Sequence, residues 1–149
     1  GSSAIDIDEN GKIIRYRSVP TSDQDIKKMI LKLSPIIHPT VMFKKKSLEK
    51  INFYNEKYRT SQDLDMWFRA MSIGLKFHNL EEPLLYYRYE SNYKKKRNLG
   101  FRINDFKIRI NGYKVNKIPL IYWYNLFIPI FLGILPDKIY NLLKKFDPR

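Results

Sequence analysis

Two carboxylates, Asp63 and Asp65, stand at the start of a segment whose apolar residues recur with the period of a helix. The helix dipole keeps a carboxylate in the first turn ionised, and an ionised carboxylate can accept a proton as a general base. Residues two apart cannot share one helix face, so one can point into a cleft while the other pairs with Arg69. On the local pattern alone, the simpler interpretation is favoured: acidic residues prefer first turns.

The helix that carries this pair is predicted to begin after Ser61, a good N-cap residue, and to end at Gly74, a good C-cap residue. The spacing i, i+3, i+4, i+7 of its apolar stripe predicts that one face packs into a core. The stripe consists of Leu64, Trp67, Phe68 and Met71.

The composition predicts one globular domain or a piece of one, since 44% of the 149 residues are hydrophobic and 15% are aromatic. The chain has no cysteine, which excludes disulfides, cysteine nucleophiles and thiolate metal sites and fits a reducing interior. No signal peptide is expected from the first residues. The net charge of +13 indicates an anionic partner: nucleic acid, an acidic membrane surface or phosphorylated substrates.

The basic residues concentrate in residues 94–149, where Lys and Arg greatly outnumber Asp. Residues 118–136 are nearly free of charge, but three prolines, a glycine and an asparagine argue against one membrane-spanning helix. Basic flanks, Trp and Tyr beside an aliphatic run instead favour a segment that lies on a membrane surface. The alternative is that this segment covers the protein's own core or an oligomer interface.

The remaining pattern predicts short strands and several helices. Thr21 and Gln24 form a capping box that opens one of the helices. The predicted elements are strands over residues 4–7 and 12–17 joined by a turn, a helix over 21–33, a strand over 40–43, a brief helix over 46–51, strands over 76–79 and 84–89, a helix over 99–112 and two C-terminal helices.

Most other motifs that would indicate a particular chemistry are absent from the sequence. The chain has no glycine-rich phosphate loop and no nucleophile elbow, and its two histidines, His38 and His78, lack the spacing of a metal site. Pro39 favours an extended conformation at His38, and a structural role is the simpler interpretation of both histidines.

Four segments in register resemble the second half of a family 2 inverting glycosyltransferase of the GT-A type. The resemblance extends over residues 1–92, and the basic tail with its prolines is also similar to such proteins. The segments are HPTVMFKK at residues 38–45, YNEKY at 54–58, QDLDMWFR at 62–69 and EPLLYYR at 82–88.

The resemblance implies that Asp63 is the catalytic base, with Gln62 in place of the usual glutamate. An inverting transfer is one in-line displacement, so a single carboxylate on the acceptor side is sufficient. Asp65 is the alternative base, although a salt bridge with Arg69 suits it better.

Further site residues follow from position in the resemblance. His38, Thr40 and Arg88 are expected to line the substrate cleft, and Gln62 and Asp65 are also candidates for substrate binding. Glu90 stands where many relatives have a histidine near the metal and diphosphate, so it is a candidate ligand for the divalent metal, Mg²⁺ or Mn²⁺. The string Asp6-Ile7-Asp8 matches an Asp-x-Asp metal motif but lies on the family's later hairpin, and we reject it.

These observations predict an α+β fold, the C-terminal portion of a GT-A (Rossmann-like) domain. Residues 1–92 would be the acceptor-side half, and residues 93–149 a basic, aromatic-rich helical region. The donor half is missing, so we expect a fragment that does not transfer sugar by itself and whose exposed edges favour association of copies.

The full enzyme would move a sugar from a nucleotide-sugar donor to a saccharide or lipid-linked acceptor in polysaccharide biosynthesis. It would be cytoplasmic and peripheral on the inner face of the cell membrane.

The rival interpretation is a non-catalytic basic module that binds a membrane surface or nucleic acid. Aromatic residues alternate with Lys and Arg around residues 86–97, as single-strand binders require. Nucleic acid is the less favoured partner, and a scaffold that has lost catalysis is a third possibility.

Overall fold

The computed structural model describes residues 1–89, 99–128 and 130–131. It confirms the predicted α+β class, with one three-stranded sheet and several helices. The strands are β1 (Ser2–Ile7), β2 (Ile13–Arg17) and β3 (Leu80–Arg88). β1 lies in the middle, antiparallel to β2 and parallel to β3.

The predicted turn between the first two strands is present. One carboxylate oxygen of Asp8 accepts hydrogen bonds from the backbone N–H groups of Asn10 at 2.9 Å and Lys12 at 2.8 Å. Gly11 has a φ of +86°, a left-handed conformation that glycine adopts without steric cost. The turn therefore closes the hairpin from its own residues.

A fully buried carboxylate, Asp6, joins the three strands. It forms ion pairs with Arg15, at 2.7 Å, and with Arg17, both on β2. Arg17 also donates to the Tyr89 hydroxyl at 2.9 Å and lies 4.6 Å from the centroid of the Tyr87 ring. Both partners of this carboxylate are needed because an unpaired charge in the interior is costly.

The helices connect and flank the sheet. α3 ends as predicted at Gly74, whose φ is +75°. The N–H groups of Gly74 and Leu75 donate to the carbonyls of Met71 and Ala70, each at 3.0 Å, which is the Schellman arrangement. The helices are α1 (Asp23–Ile30), α2 (Lys45–Glu49), α3 (Gln62–Ser72), α4 (Leu99–Val115) and two 3-10 helices, His38–Thr40 and Leu120–Phe127.

The core is built around α3. Leu64, Trp67 and Phe68 of the predicted stripe are buried, and Met71 is partly buried against the same core. Met66 and Ala70 are buried as well, so α3 packs on more than one side. Its Phe68 ring lies against Gly112 of α4 and 6.0 Å from the Tyr113 ring. The core cluster comprises Ile26, Ile30, Ile36, Leu48, Ile51, Leu64, Met66, Trp67, Phe68, Ala70, Ile108, Tyr113 and Leu126.

Residues 40–43 do not form the predicted strand. The chain instead turns through the 3-10 helix His38–Thr40, where the N–H of Thr40 donates to the Ile37 carbonyl at 2.8 Å. The Thr40 hydroxyl donates to the same carbonyl at 2.8 Å and accepts the N–H of Ser2 at 2.9 Å. These contacts turn Thr40 back toward β1 and away from strand pairing.

Residues 76–79 are also not a strand, because they bond to the start of α1. The N–H of Phe77 donates to the Asp23 carboxylate at 2.9 Å, and the N–H of Asn79 donates to the Thr21 carbonyl at 3.4 Å. With Thr21 held in this way, α1 begins at Asp23, two residues later than predicted, and it ends at Ile30, before the predicted residue 33. Ser22 is the N-cap, and its hydroxyl accepts the N–H of Asp25 at 3.1 Å.

The C-terminal region differs in part from the two predicted helices. The first is the 3-10 helix Leu120–Phe127, and the second lies outside the described residues. The predicted helix over 99–112 extends to Val115. No helix within the described ranges has both the length and the apolar character to cross a membrane.

We predict that Gly112→Ala destabilises the fold. A methyl group at this position would lie 2.3 Å from Cγ of Phe68, so α3 and α4 must separate or the ring must move. We expect a loss of about 1–3 kcal/mol in the free energy of unfolding, measured in urea. In an unobstructed helix the same change is stabilising by about 0.5–1 kcal/mol, so the sign is diagnostic.

Asn111→Ala is the matched control, since Asn111 is the exposed neighbour on the same helix. A Gly112→Ala chain as stable as the Asn111→Ala chain would contradict close packing of α3 on α4.

Candidate functional site

Asp63 lies in the first turn of α3, as predicted, and its side chain is partly exposed. Within the described part of the chain, its carboxylate accepts no hydrogen bond and forms no ion pair. The N-terminal end of a helix favours negative charge. The structure therefore presents a carboxylate whose oxygens are not used by the fold around it.

The start of α3 is fixed by contacts that the sequence did not reveal. Ser61 occupies the N-cap position, but its side chain makes no capping hydrogen bond, so that part of the prediction is wrong. Its φ of +57° and ψ of +27° are left-handed. Asn104 of α4 donates to the carbonyl of Thr60 at 2.9 Å and to its hydroxyl at 3.0 Å, which holds the preceding residue in place.

Gln62 supports the same turn. Its side-chain amide donates to the carbonyl of Tyr58, four residues earlier. The observed role of Gln62 is thus to close the loop ahead of α3, and its predicted contact with substrate stays a prediction.

Tyr54 contacts His38 and interacts electrostatically with Asp63. Its hydroxyl lies 2.8 Å from Nε2 of His38, and the two rings meet edge to face with centroids 5.8 Å apart. Burial raises the pKa of the Tyr54 phenol, and the negative charge of Asp63 raises it further. The phenol therefore stays protonated and can donate a hydrogen bond beside the carboxylate.

Tyr54 is the site residue that sequence reasoning missed. It stands within the second of the four recognised segments, but nothing in its local pattern predicts its contact with His38 or its interaction with Asp63.

Asp65 pairs with Arg69, as predicted, at 2.8 Å. Arg69 also donates to the carbonyl of Phe53 at 2.7 Å and to the carbonyl of Ile51. Between these carbonyls, Asn52 and Phe53 have positive φ values of 54° and 53°, a conformation that costs about 1–2 kcal/mol per residue. The guanidinium thus holds a strained loop, and Tyr54 is the next residue of that loop.

Two other predicted site residues, Thr40 and Arg88, are engaged elsewhere in the fold, and a third is outside the described residues. The Thr40 hydroxyl is engaged with backbone groups near β1, as described above. Arg88 donates to the carbonyls of Asp8 and Glu9, at 3.0 and 2.7 Å, and so supports the β1–β2 turn. Glu90 lies outside the described residues. Substrate contacts of Thr40 and Arg88 stay predictions.

The expected divalent metal has no cluster of side-chain ligands among the described residues. No group of three or more His, Asp or Glu side chains among them could hold a metal ion. The rejected Asp6-Ile7-Asp8 string is used elsewhere: the Asp6 carboxylate is paired with two arginines, and the Asp8 carboxylate closes the hairpin turn. A metal in the whole protein stays a prediction, and no step below is assigned to it.

Comparison with known proteins finds several related sequences. The chain is 31% identical over 146 residues to an uncharacterized glycosyltransferase of Methanocaldococcus jannaschii, a match that covers 92% of this chain and 50% of that protein. It is 31% identical over 97 residues to the amylovoran biosynthesis glycosyltransferase AmsE of Erwinia amylovora, covering 65% of this chain and 36% of that protein.

A third relative is the UDP-Gal:alpha-D-GlcNAc-diphosphoundecaprenol beta-1,3-galactosyltransferase of Escherichia coli. The identity is 26% over 114 residues, covering 75% of this chain and 41% of that protein. No family model and no solved structure matches the chain.

The chain spans half or less of the length of these three relatives. All three are named glycosyltransferases, and their similarity to most of this chain supports a glycosyltransferase family for it.

Proposed function

We propose that this chain is the acceptor-side part of an inverting glycosyltransferase of the family 2, GT-A type, with Asp63 as general base. The observation that carries the proposal is the partly exposed Asp63 carboxylate, which the surrounding described residues leave without a hydrogen bond or ion pair. The similarity to glycosyltransferases over 92% of the chain supports the reaction class.

The proposed reaction is one displacement at the anomeric carbon of the donor sugar. A hydroxyl oxygen of the acceptor forms the new bond to that carbon as the bond to the nucleotide diphosphate breaks. The hydroxyl proton passes to the Asp63 carboxylate, and the diphosphate leaves with the bonding electron pair. Attack from the face opposite the leaving group inverts the configuration, so one base is sufficient.

The neighbours of Asp63 suit this role. The Tyr54 hydroxyl interacts electrostatically with Asp63, and the exposed ring of His38 lies 2.8 Å from that hydroxyl. Both are polar groups able to orient an acceptor hydroxyl. Their arrangement is held by Arg69 through the loop that precedes Tyr54. Asp65 contributes by fixing Arg69, which leaves Asp63 as the carboxylate available for proton transfer.

Substrates and cofactor are proposed for the whole protein. The donor is a nucleotide sugar, the metal Mg²⁺ or Mn²⁺, and the acceptor a saccharide or a lipid-linked saccharide. The name of the Escherichia coli relative includes a diphosphoundecaprenol acceptor, which supports a lipid-linked acceptor here. The name of the Erwinia relative supports polysaccharide biosynthesis.

We predict that Asp63→Asn in the natural full-length protein lowers sugar transfer by about 10²–10⁴-fold, because the amide cannot accept the acceptor proton. Transfer from a radiolabelled nucleotide sugar to a lipid-linked saccharide, followed in single turnover, measures this step. Donor binding, measured by calorimetry, is expected to stay unchanged.

Glu49→Gln is the control, since Glu49 is an exposed carboxylate on α2. Near-normal transfer by the Asp63→Asn protein would refute the base assignment. A loss of donor binding in that protein would instead place Asp63 on the donor side.

We predict that Arg69→Lys disturbs His38 although Arg69 does not bond to it. A lysine cannot donate to Asp65 and to two carbonyls in the fixed geometry of a guanidinium, so the strained loop relaxes and Tyr54 moves. The chain has two histidines, and the ring nitrogen resonances of both can be followed by NMR. We expect the His38 resonance to shift in the same direction as in Tyr54→Phe.

His78 is the internal control, and its resonance is expected to stay unchanged. An unaltered His38 resonance in the Arg69→Lys chain, with a clear shift in Tyr54→Phe, would show that Arg69 does not position Tyr54.

A further inference from the structure

The 3-10 helix Leu120–Phe127 presents a row of apolar side chains outward. With three residues per turn, positions three apart lie directly above one another. Ile121, Tyr124 and Phe127 form one such row, and they are 75%, 60% and 60% exposed. We call this row the outer face.

The opposite side of the same helix is anchored in the protein. The Trp123 indole donates to the Ile118 carbonyl at 3.0 Å, and its ring meets the Tyr113 ring edge to face at 6.0 Å. Asn125 and Leu126 are buried. One side of the helix therefore covers part of the core. Because that side is held in place, the outer face points away from the core.

Basic residues precede the outer face in the chain. Lys114 and Lys117 stand seven and four residues before Ile121, and both are exposed. The only acid in residues 99–131 is Asp105, and it is paired with Arg109 at 2.9 Å. Within this segment, no unpaired acid therefore offsets the two lysines.

An open groove of about 860 Å³ continues from this helix to α1. Ile118 and Tyr122 line one side, while Met29 and Met71 supply apolar surface and Lys32 a charge. The two acids that line the groove, on α1, are each in an ion pair with a lysine of the same helix. Apolar surface with a lysine rim therefore extends beyond the outer face itself.

We propose that the outer face docks on an anionic lipid bilayer, with Ile121, Tyr124 and Phe127 in the interfacial layer and Lys114 and Lys117 against the headgroups. Apolar and aromatic side chains suit the interfacial layer of such a bilayer, and lysines are attracted to its anionic headgroups. The contact is peripheral and needs no spanning helix. The proposal does not depend on the chemistry assigned to Asp63.

The test is co-sedimentation of the 149-residue chain with vesicles of phosphatidylglycerol and phosphatidylcholine in equal parts, and with vesicles of phosphatidylcholine alone. We expect binding to the mixed vesicles that weakens as salt is added. The double variant Ile121→Ser with Tyr124→Ser is expected to lower affinity at least about tenfold, because two apolar side chains no longer enter the bilayer.

The matched control removes equally exposed apolar side chains elsewhere. Leu84 and Tyr86 on β3 are 66% and 64% exposed, and Leu84→Ser with Tyr86→Ser is expected to bind vesicles like the unaltered chain. Lys114→Gln and Lys117→Gln are each expected to weaken binding to the mixed vesicles by about fivefold. Circular dichroism verifies that each variant is folded.

Several outcomes would overturn the proposal. One is the absence of vesicle binding, or equal binding to both vesicle types. Another is equal loss in the outer-face variant and the β3 variant. A third is a dimer, detected by sedimentation, that the outer-face variant abolishes while vesicle binding persists; the outer face would then bind a second copy. Loss of binding to a single-stranded oligonucleotide, with vesicle binding unchanged, would identify nucleic acid as the partner.

Discussion

The contact between the Phe68 ring and Gly112 sets the separation of α3 and α4, and the site depends on that separation. A methyl group at position 112 would lie within 2.6 Å of three ring carbons, so only glycine permits the approach. At this distance Asn104 reaches Thr60 ahead of α3, and Asn116 reaches the Phe68 carbonyl at 3.0 Å. The orientation of the first turn of α3 is therefore controlled from α4.

Burial of α3 on more than one side restricts where its polar residues can lie. Asp63 remains at the solvent edge, whereas Asp65 is directed toward Arg69. On an exposed helix surface, an i, i+4 ion pair contributes only about 0.3–0.5 kcal/mol. The larger effect of Arg69 is that its guanidinium donates hydrogen bonds to two carbonyls of the loop before Tyr54. Two residues of that loop, Asn52 and Phe53, are left-handed, and such a conformation persists only where several hydrogen bonds hold it. The two carboxylates thus differ in role: Asp65 supports, through Arg69, the loop that leads to Tyr54, whereas, among the described residues, Asp63 does not take part in holding that loop.

The sequence predicts those parts of the fold whose causes are local. The stripe of α3, its glycine end and the split of Asp63 from Asp65 all follow from spacing within eleven residues. Ser61 was misjudged because its conformation is set with α4, through an asparagine 44 residues from Thr60. Residues 40–43 and 76–79 satisfy strand propensity, but their backbone and side-chain partners are distant in sequence, and those partners hold them outside the sheet. Tyr54 has no local signal at all.

Apolar exposure on β3 and on the 3-10 helix Leu120–Phe127 has different consequences because the neighbouring charges differ. β3 exposes Leu84, and exposed Glu81 and Glu82 stand three and two residues before it. The exposed apolar row of the 3-10 helix instead follows Lys114 and Lys117 in the chain. An anionic surface repels the first arrangement and attracts the second, since each charge near a headgroup layer changes the interaction by about 1 kcal/mol. Exposed hydrophobic area favours binding to a bilayer at both surfaces. The sign of the neighbouring charge then decides which of the two binds an anionic bilayer.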